Sequence, residues 1–253
     1  MAQRQHCCSR PDLAARLDTI AETGSTNADL LARLAAGETI GEGYWLIADH
    51  QSAGRGRQGR QWLDGVGNFM GSTVVTLDEG DPPPASLSFV AALAVYGATA
   101  GRIARPSALQ LKWPNDVLLA GAKFCGILLE REGHHAVIGI GVNLAGAPPL
   151  ADRPTLSLAD MGMAPDRDLF ASDLADQFVI ELERWRQYGT GPTFARWQAA
   201  AHQPGARLSV HGASGERISG TYTGLAEDGA LCLRLDDGSA RVIHAGDVML
   251  ETD

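Results

Sequence analysis

The sequence predicts an α+β protein in which a large domain with a mixed β-sheet is followed by a small β-barrel. The chain has 253 residues, of which 45% are hydrophobic and 20% charged, so it can bury a sizeable core. Helix-period and strand-period patterns alternate as far as residue 203. After Gln203-Pro204-Gly205 the pattern changes to short strands separated by glycine turns. We therefore expect one domain over residues 1–203 and a second over residues 204–253.

Local patterns place the individual elements. Ser25-Thr26-Asn27 precedes an apolar periodicity that ends near Gly37, which predicts a capped amphipathic helix. Short apolar runs predict buried strands, and a Pro-Asn-Asp turn and an Ala-Gly turn divide residues 109–130 into three strands. The other expected helices lie at about residues 85–103, 166–188 and 192–202. The other expected strands lie at about residues 44–49, 69–77, 136–143, 207–210, 218–225, 230–235 and 240–243.

Composition narrows the class of protein. The formal net charge of −9 and the pI near 5.2 disfavour a protein whose main partner is nucleic acid, because that binding needs a basic surface. The four cysteines include no CxxC pair, which argues against a zinc site or a disulfide framework and favours a cytoplasmic location. No apolar run reaches the length of a membrane span or a signal peptide, so we expect neither a membrane partner nor secretion.

The densest cationic segment is Gln51–Trp62, with the sequence QSAGRGRQGRQW, which we call the glycine–arginine loop. Its glycines, Gly54 and Gly56 among them, allow close backbone approach to a ligand, and the flanking guanidinium groups present forked donors. The segment therefore suits a polyanion such as a triphosphate. A nucleic-acid-binding tract and a solvated turn are the alternatives. Trp62 at its end serves as a core plug by default, or as a flat wall for a ring.

Three further positions carry polar groups where a ligand can bind. Ser25, Thr26 and Asn27 either cap the helix alone or also bind a neutral polar group such as a urea. Strand alternation places Lys123 on one face with Cys125, where its ammonium requires an anionic partner unless its flexible stem reaches water. Asn143 ends an apolar strand with an amide that suits a metal or a phosphate, or it merely terminates the strand.

Four separated motifs occur in an order and spacing that closely resemble those of biotin protein ligases. They cover about residues 20–145, and residues 224–231 (GLAEDGAL) resemble the family's terminal barrel. The motifs are Ser25-Thr26-Asn27, Gly54-Arg55-Gly56-Arg57, Lys112-Trp113-Pro114-Asn115-Asp116 with Lys123 downstream, and Gly141-Val142-Asn143.

The resemblance implies a catalytic domain related to class II aminoacyl-tRNA synthetases, followed by an SH3-like barrel. It implies that ATP, with Mg²⁺, and biotin form biotinyl-5′-AMP, and that a lysine of a biotin carboxyl carrier protein then accepts the biotinyl group. We expect a monomer or weak homodimer. Only about two dozen residues precede Ser25, too few for the winged-helix DNA-binding domain of the repressor-type members, so we expect the short form of the ligase.

The resemblance also implies roles for particular residues. Arg55, Arg57 and Lys123 would be the catalytic cations over the carboxylate and the phosphates. The biotin-binding residues would be Ser25, Thr26, Asn27, Gln51, Gly54, Arg55, Gly56, Arg57, Lys123 and Gly126. The ATP-binding residues would be Arg57, Trp62, Lys112, Asn115, Asp116, Lys123 and Asn143, with Asn143 also on Mg²⁺. The chain departs from the family at Gln58 and Gln61, where basic residues are usual or frequent, so Arg60 is the remaining cation in this part of the loop.

Two alternatives stay open. A lipoate ligase or an octanoyltransferase has the same fold, and an octanoyltransferase would use a thiol such as Cys125 beside Lys123. Cysteine in an apolar strand is more often a small core residue. A regulator that binds nucleotide or DNA without catalysis is the alternative from another class, and the acidic composition weighs against it.

Overall fold

The computed structural model describes residues 15–162, 165–211 and 216–250. Its larger part is a seven-stranded mixed sheet with the order β1-β2-β3-β7-β6-β5-β4, in which β1 and β2 are parallel and the other neighbours antiparallel. The strands are β1 (Arg16–Thr23), β2 (Tyr44–Gln51), β3 (Phe69–Thr76), β4 (Leu109–Lys112), β5 (Asp116–Leu119), β6 (Ala122–Glu132) and β7 (His135–Val142).

Helices cover both faces of this sheet. On one face, α2 (Leu87–Ala100) and α3 (Arg167–Tyr188) pack against each other and the strands, and α4 (Thr190–Ala199) joins them. Trp45 from β2 meets Phe178 of α3 edge to face, with ring centroids 5.6 Å apart. Such a contact contributes about 0.5–1.5 kcal/mol beyond burial of the rings. The main core therefore lies on this face.

The opposite face carries α1 (Thr26–Ala35), which contacts strands β2, β3, β6 and β7. Ser25 is its N-cap, and the Ser25 hydroxyl accepts a hydrogen bond from the backbone N–H of Ala28 at 3.5 Å. Leu30 and Leu34, four residues apart, are buried against the sheet in a second, smaller core. The beginning of α1 is therefore fixed over the middle of the sheet, where the candidate site lies.

The second sheet follows α4 and has the order β11-β10-β9-β8-β12, with all neighbours antiparallel. It is joined to the first part by buried contacts, including a 3.0 Å hydrogen bond from Trp113 Nε1 to the carbonyl of Gly229. Within the described residues, no helix combines the length and apolarity of a membrane span. The strands are β8 (Arg207–His211), β9 (Arg217–Leu225), β10 (Leu231–Arg234), β11 (Ala240–Ile243) and β12 (Asp247–Leu250).

Each predicted helix and strand is present within a few residues of its expected bounds, but the predictions omit two strands. Strand β1 is largely polar and forms an edge of the sheet, so it lacks the apolar run used to recognise buried strands. Strand β12 has only four residues and pairs with β8, about 40 residues earlier in the chain. Both strands depend on pairing between distant segments, which local patterns do not report.

Candidate active site

A cavity of about 310 Å³ lies on the α1 face of the large sheet. Its floor is made of glycines on neighbouring strands, because Gly126 on β6 pairs with Gly141 on β7. A Cβ at Gly139 would lie 2.5 Å from Asn27 Oδ1, and a Cβ at Gly141 would lie 2.3 Å from Trp62 Cε2. Side chains from α1 and from the glycine–arginine loop therefore approach the sheet at distances that only glycine permits.

Part of the cavity follows β7. Because a strand presents alternate residues to opposite faces of the sheet, positions 139 and 141 of β7 lie on one face, and residue 143 follows the strand on the same face. Four residues of strand span roughly 13 Å at about 3.3 Å per residue. Along this strand the cavity thus extends from Asn27, above Gly139, to Asn143.

The Asn27 end is lined by buried, hydrogen-bonded neutral groups. Gln51 Oε1 accepts a 2.8 Å hydrogen bond from the backbone N–H of Thr26. The hydroxyls of Thr26 and Ser72 lie 2.7 Å apart, and Ser72 donates to Asn27 Oδ1 at 2.7 Å. Asn27 Nδ2 in turn donates to Glu130 Oε2 at 2.9 Å. This network fixes the orientation of the Asn27 amide and suits a neutral polar ligand group.

The other side of the cavity is cationic, and its central ion pair joins Lys123 and Asp116. Lys123 Nζ lies 2.8 Å from Asp116 Oδ1, and both side chains are largely buried. Arg153 Nη1 lies 3.7 Å from the second oxygen of Asp116. Lys123 therefore has a carboxylate partner in the protein, and the alternative in which it merely extends into water is wrong.

A correction concerns the face on which Lys123 lies. Val117 pairs with Cys125, but Leu118 pairs with Lys123, so the register shifts by one residue and β6 bulges at Phe124. Lys123 consequently faces the cavity with Gly126, whereas Cys125 lies fully buried in the main core. The predicted common face for Lys123 and Cys125 is wrong, because simple alternation does not anticipate a bulge.

The glycine–arginine loop folds over the cavity. The backbone N–H of Trp62 donates to the carbonyl of Gly54 at 2.9 Å and closes the base of the loop. Arg55 Nη2 lies 2.8 Å from Glu130 Oε1, and Arg57 Nη1 donates to Asn115 Oδ1 at 3.3 Å. The Arg57 guanidinium group is thus held at the cavity by Asn115, whereas Arg55 is half-exposed and is held by Glu130, the carboxylate that also binds Asn27.

Trp62 is a wall of the cavity. Its ring lies against the glycine floor, and Lys123 Nζ is 5.8 Å from its centroid, within the range of a cation–π contact. The indole Nε1 is buried and has no hydrogen-bond partner among the described residues. Trp62 is not part of the hydrophobic core, so the default expectation of a core plug is wrong.

Asn143 carries an oxygen that can bind a cation. Its Nδ2 donates to the carbonyls of Lys123 and Leu156 at 3.4 and 3.3 Å, but its buried Oδ1 has no hydrogen-bond partner among the described residues. In that part of the chain, no cluster of three His, Cys, Asp or Glu residues could hold a metal by itself. The donor set fits Mg²⁺ that shares its coordination with substrate phosphates, since Mg²⁺ prefers oxygen ligands and often uses few from the protein.

Two expected site residues do not line the cavity. Gly54 lies at the base of the loop, where a Cβ would come within 2.5 Å of the carbonyl oxygen of Trp62. Lys112 is buried beside the chain segment that leads to the second sheet, and burial lowers its pKa. The other expected residues all line the cavity: Ser25, Thr26, Asn27, Gln51, Arg55, Gly56, Arg57, Trp62, Asn115, Asp116, Lys123, Gly126 and Asn143.

The cavity also includes residues that the sequence motifs do not predict. Ser72 comes from the middle of β3, Arg153 from the irregular segment after β7, and Asp247 from the second sheet. The only local signal for Ser72 is a polar residue inside a buried strand, and its neighbour Thr73 gives the same signal. Arg153 and Asp247 carry no signal, because only folding brings their segments to the cavity.

Cys125 does not form a nucleophilic site. It is fully buried, and burial raises the pKa of its thiol well above the usual range, so the reactive thiolate is disfavoured. The other free cysteine of the described residues, Cys232, is in the second sheet. Cys7 and Cys8 lie outside the described residues. The structure therefore gives no support to a thiol-dependent octanoyltransferase at Cys125.

Comparisons with known proteins agree with this geometry. The family model described as the biotin/lipoate A/B protein ligase family matches residues 25–143, and that of the biotin protein ligase C terminal domain matches residues 209–250. The chain is 40% identical over 244 residues to the biotin–[acetyl-CoA-carboxylase] ligase of Mycobacterium tuberculosis, covering 92% of this chain and 88% of the relative. It is 40% identical over 240 residues to the enzyme of the same name from Paracoccus denitrificans, covering 90% and 98%.

A solved structure is similar over most of its length. The biotin protein ligase from Aquifex aeolicus in complex with biotin and ATP gives a TM-score of 0.80 at 24% identity, covering 94% of this chain and 99% of that one. This likeness concerns the fold. It confirms the predicted architecture, a mixed-sheet catalytic domain followed by a small SH3-like barrel.

Proposed function

The chain belongs to the biotin protein ligase family, and from that premise we propose that it activates biotin with ATP and then transfers biotin to a carrier protein. In the first step it forms biotinyl-5′-AMP and releases pyrophosphate. In the second step a lysine of a biotin carboxyl carrier protein takes the biotinyl group and AMP leaves. One observation carries the proposal: a single cavity connects a neutral hydrogen-bonding cluster to a group of cations.

The neutral cluster suits the ureido head of biotin. The side chains of Thr26, Asn27, Gln51 and Ser72 are buried and offer hydroxyl and amide groups of both donor and acceptor type. The network still leaves donor and acceptor capacity that a ureido group can use, whereas an alkyl tail or a dithiolane ring offers it no hydrogen bond. We therefore assign the head group to Ser25, Thr26, Asn27 and Gln51, with Ser72 as an added member.

The cationic side suits the chemistry of adenylation. A biotin carboxylate oxygen attacks the α-phosphorus, the bond to pyrophosphate breaks, and negative charge accumulates between two anions. Lys123 and Arg57 are held as cations at this end by Asp116 and Asn115, and preorganised charges stabilise such a transition state more than either substrate. Arg55 pairs instead with Glu130, which also binds Asn27, so its catalytic role requires the guanidinium to leave Glu130 for the ligand. Mg²⁺ bound with the ATP phosphates would offset their charge, with Asn143 as its protein ligand.

The remaining assignments extend this arrangement. We keep Gly56 and Gly126 as biotin-binding positions: a Cβ at Gly126 would lie 2.9 Å from the Trp62 ring and 3.4 Å from Lys123 Nζ, so glycine lets these two side chains reach the site, whereas Gly54 acts through the shape of the loop. Trp62, Asn115, Asp116 and Asn143 serve the nucleotide, and Lys112 acts on it from behind the cavity wall through its charge. In the transfer step, the lysine amine of the carrier attacks the biotinyl carbonyl carbon, and the bond to AMP breaks.

Several wider assignments stay predictions. We place the boundary between the two domains at residues 203 and 204, a position supported by the start of β8 at Arg207. We expect a monomer or a weak homodimer that does not bind nucleic acid. The free thiols of Cys125 and Cys232 fit the reducing conditions of the cytoplasm, where we place the protein.

The experiment that tests the function offers the purified protein biotin, lipoate and octanoate separately with ATP and measures pyrophosphate release. We expect a strong preference for biotin. Asn27→Leu, which keeps the size of the side chain but removes its amide, serves as the matched variant and should lose this preference. Turnover with lipoate that equals or exceeds turnover with biotin would contradict the proposal. A gel shift with carboxylase promoter DNA at moderate salt tests the regulator alternative.

A further inference from the structure

A carboxylate of the second sheet reaches the cavity of the first. Asp247 is the first residue of β12, and its Oδ2 accepts a 3.1 Å hydrogen bond from Arg153 Nη2. The same oxygen forms an ion pair with Arg60 of the glycine–arginine loop. Asp247 thus binds two guanidinium groups from two separate segments of the catalytic domain, and all three residues line the cavity. Arg153 is also bound by its neighbour Asp152 at 2.6 Å, so Arg60 is the partner that depends more on Asp247.

The backbone before Asp247 is built for this contact. Gly246 has a φ of +157°, and a Cβ there would lie 2.4 Å from Val210 Cγ1 and 3.1 Å from the carbonyl oxygen of His211. Glycine allows the chain to pass this close to β8 and then to pair Asp247 with His211. The side chain is consequently presented at the beginning of a strand rather than on a mobile loop.

Asp247 belongs to a row of alternating charges. The row runs from Lys123 to Asp116, then to Arg153, Asp247 and Arg60. Burial raises the pKa of Asp247, but the hydrogen bond from Arg60 and the charge of Arg153 outweigh burial and lower this pKa to about 2. Asp247 is therefore ionised at neutral pH, and its charge is matched by cations that would otherwise repel each other.

We propose that Asp247 is a positioning residue of the nucleotide site, which holds Arg60 and Arg153 toward the phosphates of ATP. The assignment of the ligand rests on the proposed function. The ion pair between Asp247 and Arg60 does not rest on the proposed function, because the ligand-free protein already has it. The second sheet thereby completes the catalytic cavity, and the order of the glycine–arginine loop depends on a residue nearly 190 positions away in the chain.

The test compares Asp247→Asn and Asp247→Glu with the wild-type protein, and Asp236→Asn serves as the matched control. Asp236 is also a carboxylate of the second sheet that binds an arginine, at 2.6 and 2.8 Å from Arg207, but it is exposed and does not line the cavity. Hydrogen exchange of residues 51–62 is measured without ligands. The KM for ATP and the KM for biotin are measured by biotin-dependent pyrophosphate release.

We expect Asp247→Asn to speed exchange across the loop and to raise the KM for ATP about tenfold, as loss of a charge-assisted contact implies. The KM for biotin should rise less than the KM for ATP, because Asp247 contacts Arg60 and Arg153 directly but reaches the biotin-binding residues only through the loop. Asp247→Glu should restore much of both properties. Asp236→Asn should leave both unchanged, although it removes a similar charge.

Loop exchange in Asp247→Asn at the wild-type rate would overturn the positioning role, and so would an ATP KM within about twofold of the wild-type value. The failure of the proposed function gives a different result. In that case the wild-type protein would release no pyrophosphate with biotin, while the exchange measurement would still decide whether Asp247 orders the loop.

Discussion

Replacement of Lys123 by alanine separates the contribution of this residue to catalysis from its contribution to stability. Lys123 Nζ lies 2.8 Å from Asp116 Oδ1, and Asp116 is 5% exposed. A hydrogen bond to a charged group contributes about 1.5–3 kcal/mol. Since Arg153 remains 3.7 Å from the other carboxylate oxygen, we expect Lys123→Ala to lower the free energy of unfolding by about that amount without preventing folding.

The catalytic effect should be larger. Removal of one preorganised electrostatic contact slows the chemical step by about 10²–10³. We expect a loss of that size in biotinyl-5′-AMP formation, measured as single-turnover pyrophosphate release with saturating ATP and biotin. Transfer from presynthesised biotinyl-5′-AMP to a carrier domain should recover much of its rate, because the acyl group arrives already activated.

The double variant Lys123→Ala with Asp116→Ala is the control. It removes the buried carboxylate as well as its partner, so much of the lost stability should return while adenylation stays slow. Denaturant unfolding measures the first property, and pyrophosphate release measures the second. A folded Lys123→Ala protein that forms biotinyl-5′-AMP at the wild-type rate would refute the catalytic role of the ammonium.

Three further predictions address the floor, the core and the base of the loop. Gly141→Ala should displace Trp62, because a Cβ at residue 141 would lie 2.3 Å from the indole. Tryptophan fluorescence should then change and the KM for ATP should rise. An unchanged KM for ATP would contradict the role of Trp62. Cys125→Ala should retain biotin-dependent pyrophosphate release, because the thiol is fully buried in the core; complete loss in a folded variant would revive a thiol mechanism. The hydrogen bond and charge of Asp64 raise the pKa of His50, so the 2.7 Å ion pair between the two residues should be lost as pH rises through the raised pKa. Hydrogen exchange of the loop, corrected for its intrinsic pH dependence, should increase over that pH range. Asp64→Asn should not show this increase.

The fold and half of the site follow from local patterns. The Ser25 cap, the apolar runs of β2 and β7 and the long helix α3 are each encoded within a few neighbouring residues. The glycine–arginine loop is recognisable for the same reason, since its charge and its glycines are contiguous. The sequence by itself therefore determined the elements other than β1 and β12, the two-part architecture and the motifs that line the cavity.

The pairing of distant segments decided the rest. The bulge at Phe124 places Lys123 on the side of Asp116, and it is a feature of the pairing between β5 and β6. Ser72 enters the head-group cluster through strand pairing, and Asp247 reaches Arg60 only after the second sheet has packed onto the first. Local propensity describes the conformation of one segment, but hydrogen bonds and ion pairs between segments depend on their relative positions, which are set by packing of the whole chain.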